Sequence, residues 1–263
     1  MTATKPSINN LVAWWTLDEE SGNDVYESVR EGSYTSTGAV VNSNGKINYC
    51  RYFDGSSDTI NIGDQSWLEV TNITLVFWAK CIDYTRSLNG GIAKGFIFDN
   101  GANSSYSIDF HAGDARWTLT NSADNYVRLS ASISDNNWHM WTGTFASYEG
   151  SKNVYLYKDA VQQDSLTSSL IIDYSKANNN FAIGARDDGS YSFYGYIDEV
   201  SVWNSALSVD NLEWLYNNGN GVGYSNMLSN FSQLKNINSV SESNILAINN
   251  IDVSDLSSIQ EVS

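Results

Sequence analysis

The sequence is short of the residues that most site chemistry needs. Only two cysteines and two histidines occur among 263 residues. A multi-histidine metal centre is therefore excluded, and any Ser-His-Asp arrangement would have to use His111 or His139. Cys50 and Cys81 show neither CxxC nor metal-ligand spacing. A bridge between neighbouring strands stays open, but two reduced, buried thiols are the expectation. Basic side chains are scarce too: 14 Lys and Arg against 30 Asp and Glu leave a net charge of −16. Nucleic acid and anionic membrane surfaces would repel such a chain, so neither is an expected partner. No apolar run approaches the roughly 20 residues a membrane-spanning helix needs. Residues 1–10 lack the basic-then-apolar order of a secretory signal. These absences predict a soluble protein that stays in the cytosol, leaves by lysis, or has lost its signal.

What the sequence does have is aromatic residues and short alternating runs. Nine Trp, sixteen Tyr and nine Phe are present, and after Tyr224 the only aromatic residue is Phe231. Upstream of that point apolar and polar residues alternate with the period of half-buried strands, as in residues 59–62, 73–80, 106–110, 138–145, 154–157 and 193–203. Turn pairs separate them: Asp54 with Gly55, Asn100 with Gly101, Glu149 with Gly150, Asp188 with Gly189. Many short strands with almost no helical period indicate an all-β antiparallel sandwich. One helix is expected over residues 209–216, capped by Ser208 and stopped by Gly219.

Taken in order, the segments form a recognisable set: LVAWWTLDEESG at 11–22, YFDGSSDTINIG at 52–63, ITLVFWAK at 73–80, GIAKG at 91–95, NWHMWTGTF at 137–145, VYLYKDA at 154–160, FAIGAR at 181–186 and YGYIDEVSVWNSAL at 194–207. Across residues 10–220 the chain resembles the laminin G-like branch of the concanavalin A-like lectin/glucanase superfamily. The resemblance implies a two-sheet jelly roll of about a dozen strands whose first and last strands pair. One departure is local. The family usually has Asp-Gly after VYLYKD, whereas here Ala160 follows Asp159. A different turn geometry and a less certain strand register are expected there.

Trp14, Trp15, Phe77, Trp78, Trp138, Trp141 and Trp203 lie inside strand patterns and are expected in the core or packed on sheet faces. Alternation sends Trp14 and Trp15 to opposite faces, which would leave one of them open to stack on a sugar ring. His139 is expected to be structural. Relatives of this fold that cleave glucans carry carboxylates at alternating positions of one strand. Regular alternation over residues 197–202 instead separates Asp198 from Glu199 and gives Asp198's face to Val200 and Val202. No enzyme is expected; a glycan-cleaving activity is the remote alternative. The resemblance also suggests calcium at the sandwich edge, because pairing of first and last strands would bring Asp18, Glu19 and Asp24 near Asp198, and hard oxygen ligands suit that ion. A solvated acidic loop is the other reading. Tyr84, Trp117, Tyr126, Tyr148 and Tyr191, with Asp114, Asp187 and Asp188, are the expected ligand-binding rim.

The composition divides the chain into an arm (1–9), a jelly-roll domain (10–224) and a tail (225–263). The tail repeats at eleven-residue spacing: SQLKNINSV, SNILAINNI and SDLSSIQEV begin at 232, 243 and 254. Leu234, Ile245 and Leu256 correspond, as do Ile237, Ile248 and Ile259, and Val240, Ile251 and Val262. On a helix these residues would form one stripe; extended packing and disorder are the competing readings. Three aliphatic ridges cannot bury themselves alone, so this is the expected assembly surface, toward a second copy or another protein. Such tails resemble C-terminal extensions on structural proteins of tailed bacteriophages. Together these features predict a non-enzymatic virion protein, a capsid decoration or tail-associated component, whose sandwich touches carbohydrate or host surface and whose tail oligomerises or anchors it. The alternative is a secreted, calcium-dependent bacterial carbohydrate-binding module.

Overall fold

The computed structural model describes residues 2–87, 89–95, 104–121, 125–148, 151–175, 179–186 and 188–235. In chain order the strands are β1 (Leu11–Trp15), β2 (Asp24–Glu27), β3 (Gly32–Thr37), β4 (Val40–Asn42), β5 (Cys50–Asp54), β6 (Thr59–Gly63), β7 (Ile73–Cys81) and β8 (Asn89–Gly95). They continue with β9 (Ser104–His111), β10 (Asp114–Thr120), β11 (Tyr126–Ser132), β12 (His139–Tyr148), β13 (Ser151–Lys158), β14 (Val161–Ser168), β15 (Phe181–Ile183) and β16 (Tyr194–Trp203). Two helices follow, α1 (Val209–Tyr216) and α2 (Tyr224–Lys235). The second is one more than the periodicity predicts.

All pairings are antiparallel. One layer runs β11-β10-β9-β8-β15-β6, and the other runs β1-β16-β7-β12-β13-β14. β3 joins them, pairing with β2 along its first part and with β6 at Ser36 and Thr37. The last strand divides its partners: β16 pairs with β5 through residues 194–197 and with β1 through residues 200–203. First and last strands are thus neighbours, as the resemblance implies. By contact clustering the chain separates into two units, residues 1–224 and 225–263.

Between the layers lies an aromatic and aliphatic core. Trp15 stacks on Phe181 at 5.1 Å, and Phe110 meets Phe77, Trp141 and Phe193. Trp117 is fully buried there, its Nε1 donating to the Thr144 carbonyl at 3.2 Å. Gly143 makes room for it: a Cβ at that position would lie 2.3 Å from the Trp117 indole. Cys50 and Cys81 are buried free thiols, each pushed up to about 12, by burial above all.

Two turns differ from expectation. Ser208 caps α1 by a reciprocal pair of hydrogen bonds with Asn211. The helix then ends because Asn217 turns left-handed (φ 49°), before Gly219 is reached. At the 159–160 hairpin, Asp159 and Ala160 both take positive φ, 55° and 62°. This is the turn geometry Asp-Gly would use, with alanine carrying the strain, rather than a different one. The register irregularity falls just beyond it, between Leu156 and Tyr157.

Candidate functional site

The expected separation of Asp198 from Glu199 does not occur. Asp198 pairs with Trp78 and Ser201 with Val76, so Glu199 and Val200 together face the single residue Phe77. Glu199 accommodates this bulge with φ 51°. The alternation slips by one: Ile197, Val200 and Val202 enter the inter-sheet core, while Asp198 and Glu199 both lie on the opposite face. That face is covered. Asp198 Oδ2 accepts a hydrogen bond from Ile47 N at 2.9 Å, and Glu199 Oε2 accepts one from Trp14 Nε1. Trp14 is itself buried, against Trp203 and Tyr224, so neither of the paired tryptophans is open to a sugar. Residues 221–224 close the site, with the Cα of Gly223 placed so that a Cβ would sit 3.3 Å from Glu199 Oε1.

Asp198 is 0% and Glu199 2% exposed, and among the described residues Asp198 Oδ1 and Glu199 Oε1 have no hydrogen-bond partner. Burial pushes both acids well above the usual carboxylate range; the charge of Asp18 adds to both, and that of Asp198 to Glu199. Burial thus favours the neutral form of both. The cavity beside Glu199, lined by Trp14, Trp78, Met140 and Leu215, measures about 10 Å³. A glycosidase pair must flank a sugar linkage; this pair is sealed from one.

Of the four carboxylates expected around calcium, Asp18 and Asp198 lie beside the same 47–49 segment, while Glu19 is engaged elsewhere and Asp24 is exposed. Asp18 accepts from Tyr49 N at 3.0 Å and from Asn48 Nδ2 at 3.1 Å. Glu19 pairs with Arg51 at 3.2 Å. The same guanidinium donates to the carbonyls of Gly22 (2.8 Å) and Asp24 (2.5 Å). Glu19 and these two loop carbonyls are thus occupied by a buried arginine that the sequence did not single out. Among the described residues no three His, Cys, Asp or Glu side chains are grouped to hold a metal.

Nor does the predicted rim form one site. Trp117 is core, not rim, because Gly143 on the facing sheet admits its ring. Tyr84 and Tyr191 lie at the sandwich end that holds the 111–114 turn: Gly113 N bonds the Tyr84 carbonyl, and a Cβ on Gly90 would meet the Tyr191 carbonyl. Asp114 starts β10 at that same end, and Asp188 caps its own turn by accepting from Ser190 N at 2.8 Å. Tyr126, 45% exposed, and the backbone of Tyr148 lie at the opposite end. Leu234 falls in α2. Its side chain and that of Tyr148, together with Asp187 and residues Ile237, Val240, Ile245, Ile248, Ile251, Leu256, Ile259 and Val262, lie outside the described residues.

A cluster absent from that prediction lies on the outer face of the second layer. Val40, Tyr52, Tyr196 and Lys80 face one another in register across β4, β5, β16 and β7. Trp138 extends the row, since the next residue, His139, faces Ala79. Ring centroids are 5.2 Å apart for Tyr52 and Tyr196 and 6.3 Å for Tyr196 and Trp138, with interplanar angles of 44° and 50°. Lys80 Nζ lies 5.9 Å from the Tyr196 ring and makes no hydrogen bond or ion pair among the described residues. Tyr52, Tyr196, Lys80 and Trp138 are half-buried, and Val40 is 52% exposed. Tyr194 adjoins the row, with Arg86 over its ring at 5.5 Å. The neighbouring His139 is held between two carboxylates: Nδ1 is 2.6 Å from Asp159 and Nε2 2.9 Å from Asp135. Burial lowers its pKa, but the two carboxylate hydrogen bonds outweigh that and raise it. A signal existed in the tyrosines at alternating positions 194 and 196, but only strand order brings Tyr52 and Trp138 beside them.

A profile of laminin G-type domains in the concanavalin A-like lectin/glucanases superfamily matches residues 54–213. The chain belongs to this superfamily. No curated protein matches it. Among solved structures, this superfamily member is similar in fold to the binding domain of Paraclostridial Mosquitocidal Protein 1, with TM-score 0.62, 15% identity, and coverage of 80% of this chain and 52% of that one. The botulinum neurotoxin type G receptor-binding domain gives 0.58 at 15% identity over 80% and 51%. That of the mosaic serotype C/D, with tetraethylene glycol on its Hcn sub-domain, gives 0.56 at 18% over 81% and 52%. The chain spans about half the length of these domains.

Proposed function

We propose that the protein is a non-catalytic carbohydrate-binding module, displayed on a larger assembly by its C-terminal repeats. The observation that carries this reading is the solvent-facing row of Tyr52, Tyr196 and Trp138 around Lys80. Aromatic faces pack against the apolar C–H faces of sugar rings, and the ammonium supplies donors for sugar oxygens. The burial of Asp198 and Glu199 beneath Trp14, Ile47 and residues 221–224 agrees with binding rather than cleavage. The fold neighbours add support in kind, since their names describe binding and receptor-binding domains. The test is a glycan array probed with the wild-type chain and with Tyr196→Ala. Retention by the wild type and loss in the variant support the proposal; a wild-type chain that retains no glycan overturns it.

The display partner in this reading is a virion, on the strength of the three eleven-residue units, whose aliphatic positions need a covering surface. Solution mass and particle association of the full chain are compared with those of a chain lacking residues 228–263. Loss of oligomers or of particle incorporation supports display; no change in either overturns it. The toxin binding domains among the fold neighbours favour a second reading, a secreted module, and under that reading the truncated chain keeps both its mass class and its sugar binding.

A further inference from the structure

We infer that the aromatic row takes a single extended glycan chain, three sugars long at its contact, laid across the strands, and not the flat face of an insoluble polysaccharide. This inference rests on the carbohydrate-binding reading and specifies its ligand.

The direction follows from register. Tyr52 faces Tyr196, Tyr196 faces Lys80, and Trp138 adjoins Lys80's neighbour through the His139 and Ala79 pair. The row therefore runs perpendicular to β5, β16, β7 and β12, along the hydrogen-bonding direction of the sheet. Its three rings are spaced by 5.2 and 6.3 Å, a step comparable with one sugar unit. Each ring can take one sugar of a chain that follows the row.

The form of the ligand follows from tilt. Successive strands of a sheet rotate by about 20–25°, and side chains standing on them turn as well. Here neighbouring rings differ by 44° and 50°. A crystalline polysaccharide presents coplanar sugar faces, so it could lie flat on one of the three rings while clashing with or missing the others. A single chain can rotate about each glycosidic bond and meet all three. Lys80 sits between the second and third rings, and its ammonium has no competing partner among the described residues. It is placed to donate to the oxygens around the linkage between those two sugars. Arg86 and the exposed Asp54, of opposite sign, flank the row.

The experiment titrates the full chain calorimetrically with cello-, chito- and manno-oligosaccharides of one to five sugars. In parallel the chain is incubated with crystalline cellulose and crystalline chitin. The expected result is affinity that rises up to the trisaccharide of one series and then levels, with no retention on either solid. Tyr196→Ala should weaken trisaccharide binding by at least about tenfold, since it removes the central contact. Tyr196→Phe keeps the ring and should retain binding, which separates loss of stacking from loss of fold. Retention on a crystalline solid, or affinity already at its full value for the monosaccharide, overturns the inference while leaving carbohydrate binding standing. Failure to bind any sugar in either format, together with a blank glycan array, overturns the underlying reading as well.

Discussion

Stability of the sandwich should fall as pH rises from 5 to 7, and Glu199→Gln should flatten that fall. In the folded chain burial beneath Trp14, Ile47 and residues 221–224 raises the pKa of both Asp198 and Glu199. Unfolded, each ionises near its ordinary value of about 4. Between that pH and the raised folded pKa, the folded state holds more protons than the unfolded state, so stability is fully present at the low end and is lost as pH rises. One retained proton corresponds to about 1.4 kcal/mol for each pH unit lying between the unfolded and folded pKa. For a domain this size that is a drop of roughly 3–6 °C in melting midpoint per pH unit in that window. Glutamine mimics the protonated acid and can still accept from Trp14 Nε1, but it has no proton to lose. Acids held below their usual range, Asp83, Asp135 and Asp188, change stability only at lower pH. Asp18, Asp58, Asp109 and His139, all raised, share the sign of the effect, so the comparison must be with the variant and not with a flat line. The assay is thermal unfolding by circular dichroism at half-unit steps from pH 5 to 8. Parallel curves for wild type and Glu199→Gln would refute the reasoning.

Ala160→Gly should stabilise the domain by about 1 kcal/mol, because it relieves a left-handed alanine in the 159–160 hairpin; a midpoint gain of about 2–4 °C is expected, and a loss would count against the turn geometry. Gly143→Ala should cost about 1–3 kcal/mol by forcing a methyl into the Trp117 indole, read as a lower urea midpoint with an unchanged slope. Arg51→Met leaves Glu19 and the Gly22 and Asp24 carbonyls without their cation and should cost about 3–5 kcal/mol. Since Arg51 already occupies those oxygens, a chelator should leave the wild-type midpoint where it is; a drop of several degrees would reveal a bound ion.

Much of the fold was legible from local pattern. Period-two alternation gave the strands around Ile73, Trp138 and Tyr194, and Ser208 announced α1 three residues ahead of its bonding partner Asn211. The helix end was misplaced because Asn217 can adopt the left-handed conformation that glycine usually supplies. Trp117 was misassigned because its surroundings include a notch made by Gly143, on a strand of the other sheet.

The sequence by itself determined the fold class, the pairing of first and last strands through family resemblance, and the exclusion of multi-histidine metal chemistry. Only the tertiary structure decided where the acids and the aromatics point. A single bulged residue, Glu199, breaks the strand period and moves both carboxylates to one covered face. Strand order then places Tyr52, Tyr196 and Trp138 in one row although they are far apart along the chain. Alternation is a property of one strand and can be read from residues in sequence; register between strands depends on which surfaces bury each other, and that is settled only when the whole sandwich closes.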